Sequence, residues 1–302
     1  MPHPFSRSLG LLTALALSAI IAVPAAAQIP GVPLEMVNGG KLLLTGGVSS
    51  IEGAGGGGLA SWATITGYET PEGIGGNVHL TGVKTDDYEL RSVGAAVGLF
   101  DRLELSFARQ DFDTGATGGK LGLGDGFTFR QDIWGAKLKL IGDAVYDQDR
   151  LLPQIAIGVQ HKSNDQGAII RAVGGKDDEG TDYYLAATKV LLDKSLVLNG
   201  TLRATRANQT GLLGFGGDRD DDYSAQFEGS AGWLVSKRLL IGAEYRSKPN
   251  NLGFAKEDDW ADLFAAYAVN KRLSITAAYV ALGDIATFEK QRGLYLSLQA
   301  GF

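Results

Sequence analysis

The chain has 302 residues, no cysteine, 43 glycines and a formal net charge of −6. The lack of cysteine excludes a disulfide scaffold and thiolate metal sites. An acidic balance with no basic, aromatic-interleaved stripe excludes a nucleic-acid module, and glycine without a Gly-X-Y period excludes collagen and suits a turn-rich all-β chain.

Residues 1–27 read as a secretory signal peptide. Arg7 supplies the positive start, Leu9 to Val23 the apolar core, and Ala25-Ala26-Ala27 a small-residue cleavage site. The apolar run is short for a membrane-spanning helix, and no other stretch is long and apolar enough for one. Residues 28–38, with Pro30 and Pro33, read as an extended leader. Residues 39–302 read as one domain.

From Leu59 onward apolar and polar residues alternate, the period of an extended strand. The pattern predicts strands at Leu59–Glu69, Ile74–Lys84, Tyr88–Leu99, Arg102–Gln110, Phe127–Ile141, Leu151–Ser163 and Asp182–Leu192. It continues at Ser195–Arg206, Tyr223–Val235, Arg238–Ser247, Trp260–Val269, Arg272–Ala281 and Gly293–Phe302. A weaker strand at Lys41–Gly47 brings the count to 14, and Ser49–Gly58 reads as a flexible glycine loop. The fold expected is an all-β, up-and-down antiparallel transmembrane β-barrel. Without Lys41–Gly47 as a strand, the alternative is 12 strands with a folded-in N-terminal segment.

The connections alternate in length. Tight turns with a basic residue occur at Phe100–Leu103, Leu192–Ser195, Val235–Arg238 and Val269–Arg272. Long polar connections lie at Asp111–Gly126, Asn164–Thr181, Ala207–Asp222, Lys248–Asp259 and Leu282–Arg292. Short periplasmic turns and longer outer loops are the signature of a Gram-negative outer-membrane barrel. Trp62, Trp134, Trp233, Tyr245, Trp260, Tyr267 and Tyr279 are candidates for interfacial girdles. The aromatic terminus Phe302 is the candidate assembly signal, read by the barrel-assembly machinery, with Lys41–Gly47 as the partner of the last strand.

The inward parity predicts a polar lumen of balanced charge. Its candidate lining is Glu104, Lys137, Lys139, Asn199, Arg203, Glu228, Glu244, Arg246, Asp262, Ser274, Thr276 and Gln299. That composition suits a passive pore for small solutes with weak ion selectivity. A salt-bridged, occluded lumen in a structural or surface-binding barrel is an alternative. The partners expected are outer-membrane lipids and lipopolysaccharide. No cofactor or metal is expected. His79 stands alone in a strand and reads as structural.

His161 and Ser163 end one strand on its lipid-facing parity. His161-Lys162-Ser163-Asn164 resembles the local motif of outer-membrane phospholipase A and lipid A deacylases. The resemblance implies His161 as base and Ser163 as nucleophile in a lipid hydrolase, with a third group needed to orient the histidine. Asp165-Gln166 before Gly167 departs from that motif.

Four longer stretches carry a wider resemblance: Gly39–Trp62, Leu121–Lys139, Gly142–Gly158 and Arg292–Phe302. Together they resemble an uncharacterised family of proteobacterial exported proteins, domain of unknown function 3034. The resemblance covers the mature chain and implies a single envelope protein, with no activity attached.

Overall fold

The computed structural model describes residues 41–302, Gly47 excepted. The expected signal peptide and leader therefore lie outside the described residues. In chain order the strands are β1 (Ile74–Thr85), β2 (Glu89–Leu99), β3 (Leu103–Asp113), β4 (Thr128–Ile141), β5 (Gln154–Asn164), β6 (Gly175–Asp177) and β7 (Glu179–Leu191). They continue with β8 (Leu196–Thr205), β9 (Phe215–Gly217), β10 (Ser224–Ser236), β11 (Leu239–Arg246), β12 (Trp260–Ala268), β13 (Leu273–Ile285) and β14 (Phe288–Gly301). Twelve of them close into an antiparallel barrel, and β6 pairs with β9 in a separate small sheet.

The barrel's wall follows from the alternation. In β3 every second residue is buried and the intervening ones are exposed or half-buried. The outward residues are large and apolar: Leu263 is 68% exposed, Leu294 67% and Trp134 60%. Water would penalise such a surface and a hydrocarbon layer would not. Closure satisfies every strand's backbone donors and acceptors within the wall, which lipid cannot do.

The seam joins β1 to β14, from Asn77↔Gly301 to Thr85↔Gly293. The partner of the last strand is thus Ile74–Thr85 and not Lys41–Gly47, and the count is 12 rather than 14. Leu59–Glu69 fails to become a strand because it lies inside the barrel, and residues 41–46 form turns, with Lys41, Leu42 and Leu43 only half-buried. Every residue from Val48 to Glu69 is buried, so the segment has no outward apolar face. Ser49–Gly58 is likewise packed within the lumen rather than a free loop. Its glycines permit this. A Cβ on Gly57 would stand 1.8 Å from Oε1 of Glu244 on the wall.

All four tight basic turns lie at the end where the chain terminates. Most long connections gather at the opposite end; residues 142–153, between β4 and β5, are a long one at the tight-turn end. Leu282–Arg292 is not a long connection, because β13 and β14 run on to a two-residue turn at Ala286 and Thr287. Ala286 has φ of 50°, which lets this hairpin turn tightly. The long connections at the opposite end fold inward and cover that mouth. Ile170, Leu212, Leu213 and Leu252 are buried there with Tyr88 and Phe112.

Candidate functional site

The lumen contains the densest constellation of buried charge, built between the wall and residues 48–69. A plug that is not a strand leaves its peptide groups without ladder partners, and buried peptide groups must be paired. Wall side chains take that role. Glu104 accepts from Gly55 N at 2.9 Å and Thr66 N at 2.8 Å. Lys137 donates to Gly55 O at 2.9 Å, Thr64 O at 2.7 Å and Glu104 at 3.0 Å. Glu228 accepts from Ser61 N at 2.9 Å, and Glu244 accepts from Leu59 N at 2.8 Å. Gln154 donates to Ala63 O at 2.7 Å, while Thr188 accepts from Ala63 N at 2.8 Å.

The plug's own charge is Glu52, fully buried among Lys162 of β5, Arg203 of β8 and Arg246 of β11. Arg246 Nη1 donates to Glu52 Oε2 at 2.7 Å. Arg203 also pairs with Glu228 and Asp182, donates to Gln160 at 2.7 Å and lies over the Tyr184 ring at 5.0 Å. Lys162 bridges Glu52 to Asp182. Each cation serves more than one acid, so the cluster is a network across the barrel rather than a set of pairs.

Among the residues read from strand parity, Asn199, Ser274, Thr276 and Gln299 are buried inside, with Gln299 donating to Ser49 O at 3.3 Å. Glu104, Lys137, Arg203, Glu228, Glu244, Arg246 and Asp262 are also buried inside. Lys139 is only half-buried and pairs with Asp101 and Asp143 near the C-terminal end. His79 is buried, with Nε2 3.3 Å from Ser92 Oγ. Trp62 and Trp260 are not girdle residues. Trp62 lies in the plug and donates to Ser230 at 2.9 Å, and Trp260 is buried against the inner core. Lys162, Gln160 and Asp182 were missed, although their parity opposite His161 and on β7 marks them as inward. Glu52 had no such signal, since parity says nothing outside a strand.

A small cavity of about 30 Å³ lies in the lumen, lined by Ile51, Leu59, Tyr88, Phe112, Leu212 and Trp260 among others. The lining is apolar, which offers a water no hydrogen-bond partner.

Near the covered mouth, Lys248 donates to Gln209 Oε1 at 2.8 Å, lies 3.6 Å from Glu257 and stands 4.8 Å over the Trp260 ring. Burial pulls its ammonium down to about 8, against the opposing pull of Glu257. Burial raises the Glu257 carboxyl, with Lys248 opposing.

On the exterior, His161 and Ser163 are both exposed on β5. His161 Nδ1 is 3.0 Å from Thr181 Oγ1 on β7. The ladder sets Ser163 beside Asp132, whose carboxylate is held by Arg109 at 2.6 and 2.7 Å. The group that orients His161 is therefore a hydroxyl and not a carboxylate.

No curated protein matches the sequence. Among solved structures, the chain is similar to the KdgM porin at 11% identity, covering 75% of this chain and 99% of that one, with a TM-score of 0.49. It is similar to the NanC porin at 8% identity, covering 74% and 98%, with a TM-score of 0.45. It is also similar to the outer membrane phospholipase A from Escherichia coli at 9% identity, covering 78% and 94%, with a TM-score of 0.41. Likeness at this level transfers no activity. The family profile described as "Protein of unknown function (DUF3034)" matches residues 45–299, and the chain belongs to that family.

Proposed function

We propose that this protein is an outer-membrane barrel sealed by its own N-terminal segment, a structural wall element that passes no solute while the plug is seated. The observation that carries this is Glu52, fully buried in the lumen and ion-paired to β5, β8 and β11 together. The apolar exterior supports the membrane setting. A passive pore requires the plug to leave, and the polar wall would then become a wet path. Planar-bilayer recordings test this. Refolded wild type is expected to show no steady conductance, and a variant lacking residues 48–66 is expected to show stable ohmic steps. Equal steady conductance in both would overturn the proposal.

A second reading, a lipid-ester hydrolase, is favoured by the His161–Thr181 contact of 3.0 Å on the lipid face. An apolar depression of about 700 Å³ lies alongside, lined by Ala136, Ile157, Gly158, Val159, Leu185 and Leu202 among others, and Val159 is two residues before His161. It has room for an acyl chain. In this reading Thr181 accepts from Nδ1–H, and Nε2 takes the Ser163 proton as Oγ attacks the ester carbonyl. That proton then passes to the leaving alcohol, and water releases the acid. Ser163→Ala is expected to cost about a thousandfold or more in fatty-acid release. Unchanged release would end this reading.

A further inference from the structure

Eight acidic side chains are buried among the described residues: Glu52, Glu69, Glu104, Asp182, Glu228, Glu244, Glu257 and Asp262. Six have a lysine or arginine within 4.0 Å. Glu244 and Asp262 have none among the described residues. They are also directly opposite each other in the β11–β12 ladder. Opposed residues of an antiparallel pair have Cβ atoms about 5 Å apart, and like charges there repel. Two buried carboxylates without a cation are costly, so something must offset them.

The surroundings narrow the choice. Glu244 accepts from Ser230 Oγ at 2.7 Å and from Leu59 N at 2.8 Å, which leaves lone pairs on both oxygens. Asp262 Oδ1 has no hydrogen-bond partner among the described residues. The hydroxyl of Tyr295, which is 2% exposed and comes from β14, makes no hydrogen bond within 3.5 Å among the described residues, with Ser297 and Thr81 its nearby hydroxyl groups. A Cβ built on Gly58 would lie 3.3 Å from Glu244 Oε2 and 3.5 Å from Tyr295 OH, so both oxygens face the same point of the plug. Arg246, two residues along β11 from Glu244, is turned to Glu52 at 2.7 Å and Glu228 at 3.5 Å. The other lumenal ions are balanced by their own partners. Glu244 therefore faces the plug's glycine run with Asp262 opposite it in the ladder, two carboxyl groups with no cation within 4.0 Å among the described residues.

We propose that Glu244, Asp262 and Tyr295 bind one divalent cation of the calcium class, which locks the glycine run of the plug to the wall. Oxygen-only donors select a hard cation, and two carboxylates match its charge. Donors from three strands, with no octahedral arrangement imposed, suit calcium better than magnesium. This rests on the sealed-barrel reading, because the plug buries the site.

The test uses the full-length mature protein refolded in micelles with Ca²⁺ or with chelator. Wild type is expected to retain one Ca²⁺ per chain after gel filtration and to melt several degrees higher with Ca²⁺. Asp262→Asn and Glu244→Gln keep the shape and relieve the repulsion. They are expected to fold, to lose this one equivalent and to melt at a Ca²⁺-independent temperature. The loop carboxylates Asp177, Asp178, Glu179, Asp220, Asp221 and Asp222 are intact in both variants, so they serve as the control for surface binding. Terbium substitution adds a local readout: tyrosine-sensitised emission is expected from wild type and lost in Tyr295→Phe. Equal Ca²⁺ content in wild type and Asp262→Asn would overturn the site, as would a wild type with no Ca²⁺ response, which would point to a shared proton. Conductance separates the two proposals. A barrel that stays sealed without binding Ca²⁺ refutes the cation alone, whereas one that conducts in both media refutes the plug.

Discussion

Glu52 and Arg246 stand 194 positions apart in the chain, yet Arg246 Nη1 donates to Glu52 Oε2 at 2.7 Å in the lumen. The bond ties the plug to the wall. Removing the carboxylate leaves Lys162, Arg203 and Arg246 short of their shared partner in a buried place. Breaking a buried ion pair from one side costs about 3–5 kcal/mol. Glu52→Ala is therefore expected to lower unfolding stability in micelles by roughly that amount. The barrel ladder does not pass through the plug, so the strand content should remain. A midpoint in urea equal to wild type would refute the tie.

The wall was legible in the sequence because its period is two and its solvent is apolar. Leu294, Leu296 and Leu298 alternate with Tyr295, Ser297 and Gln299, and only the second set is buried deep in the lumen. The plug was hidden for the same reason. Leu59–Glu69 has short apolar and polar runs that imitate a strand, but both of its parities are buried. Nothing in a one-dimensional pattern separates a segment paired in the wall from one surrounded by it. The inward ions of the wall follow from parity. Their shared partner Glu52 lies in a glycine-rich stretch with no parity to read.

Gly57 tests the passage of the plug past the wall. A Cβ there would meet Glu244 Oε1 at 1.8 Å and its Cδ at 2.6 Å. Overpacking a tight interior typically costs about 1–3 kcal/mol. Gly57→Val is expected to loosen the plug, seen as faster amide exchange over residues 48–66 and as intermittent conductance. Gly82 has open space around its Cβ position, so Gly82→Ala is the matched control and should change neither. Exchange in Gly57→Val as slow as in wild type would show that the contact can relax.

Lys248 gives a pH dependence with a definite sign. Its pKa falls to about 8 in the folded protein, while an unfolded lysine keeps its proton to about 10.4. Between these values the unfolded state binds more protons. The Lys248 contribution to stability therefore rises with pH in that window, and its burial penalty is fully present below pH 8. Glu257 acts in the opposite sense: its carboxyl is raised, so its contribution falls as pH rises from the unfolded value through the folded one. Because Lys248 Nζ stands over the Trp260 ring, loss of its charge should shift Trp260 emission with a midpoint near pH 8. Lys248→Met should abolish the step. A flat profile from pH 7 to pH 9 in wild type would contradict the buried ammonium.

Phe302 separates closure from recognition. Its backbone N–H donates to Gly76 O at 3.0 Å, and its carbonyl accepts from Tyr68 N at 2.9 Å and Gly76 N at 3.0 Å. The terminal residue thus stitches the last strand to the first and holds the exit of the plug. Deleting Phe302 removes these bonds, each worth about 0.5–1.5 kcal/mol net. Phe302→Ala keeps all of them and removes only the ring. Deletion is expected to lower the unfolding midpoint of the refolded barrel, and Phe302→Ala to leave it within about 1 kcal/mol of wild type. Expression in cells adds the second readout. If an assembly machine reads the aromatic ring, Phe302→Ala should reduce membrane-inserted protein despite near-normal stability in micelles. A normal inserted yield would leave Phe302 as a closure residue alone, and equal loss of stability in both variants would place the energy in the ring packed on Gly76 rather than in the backbone.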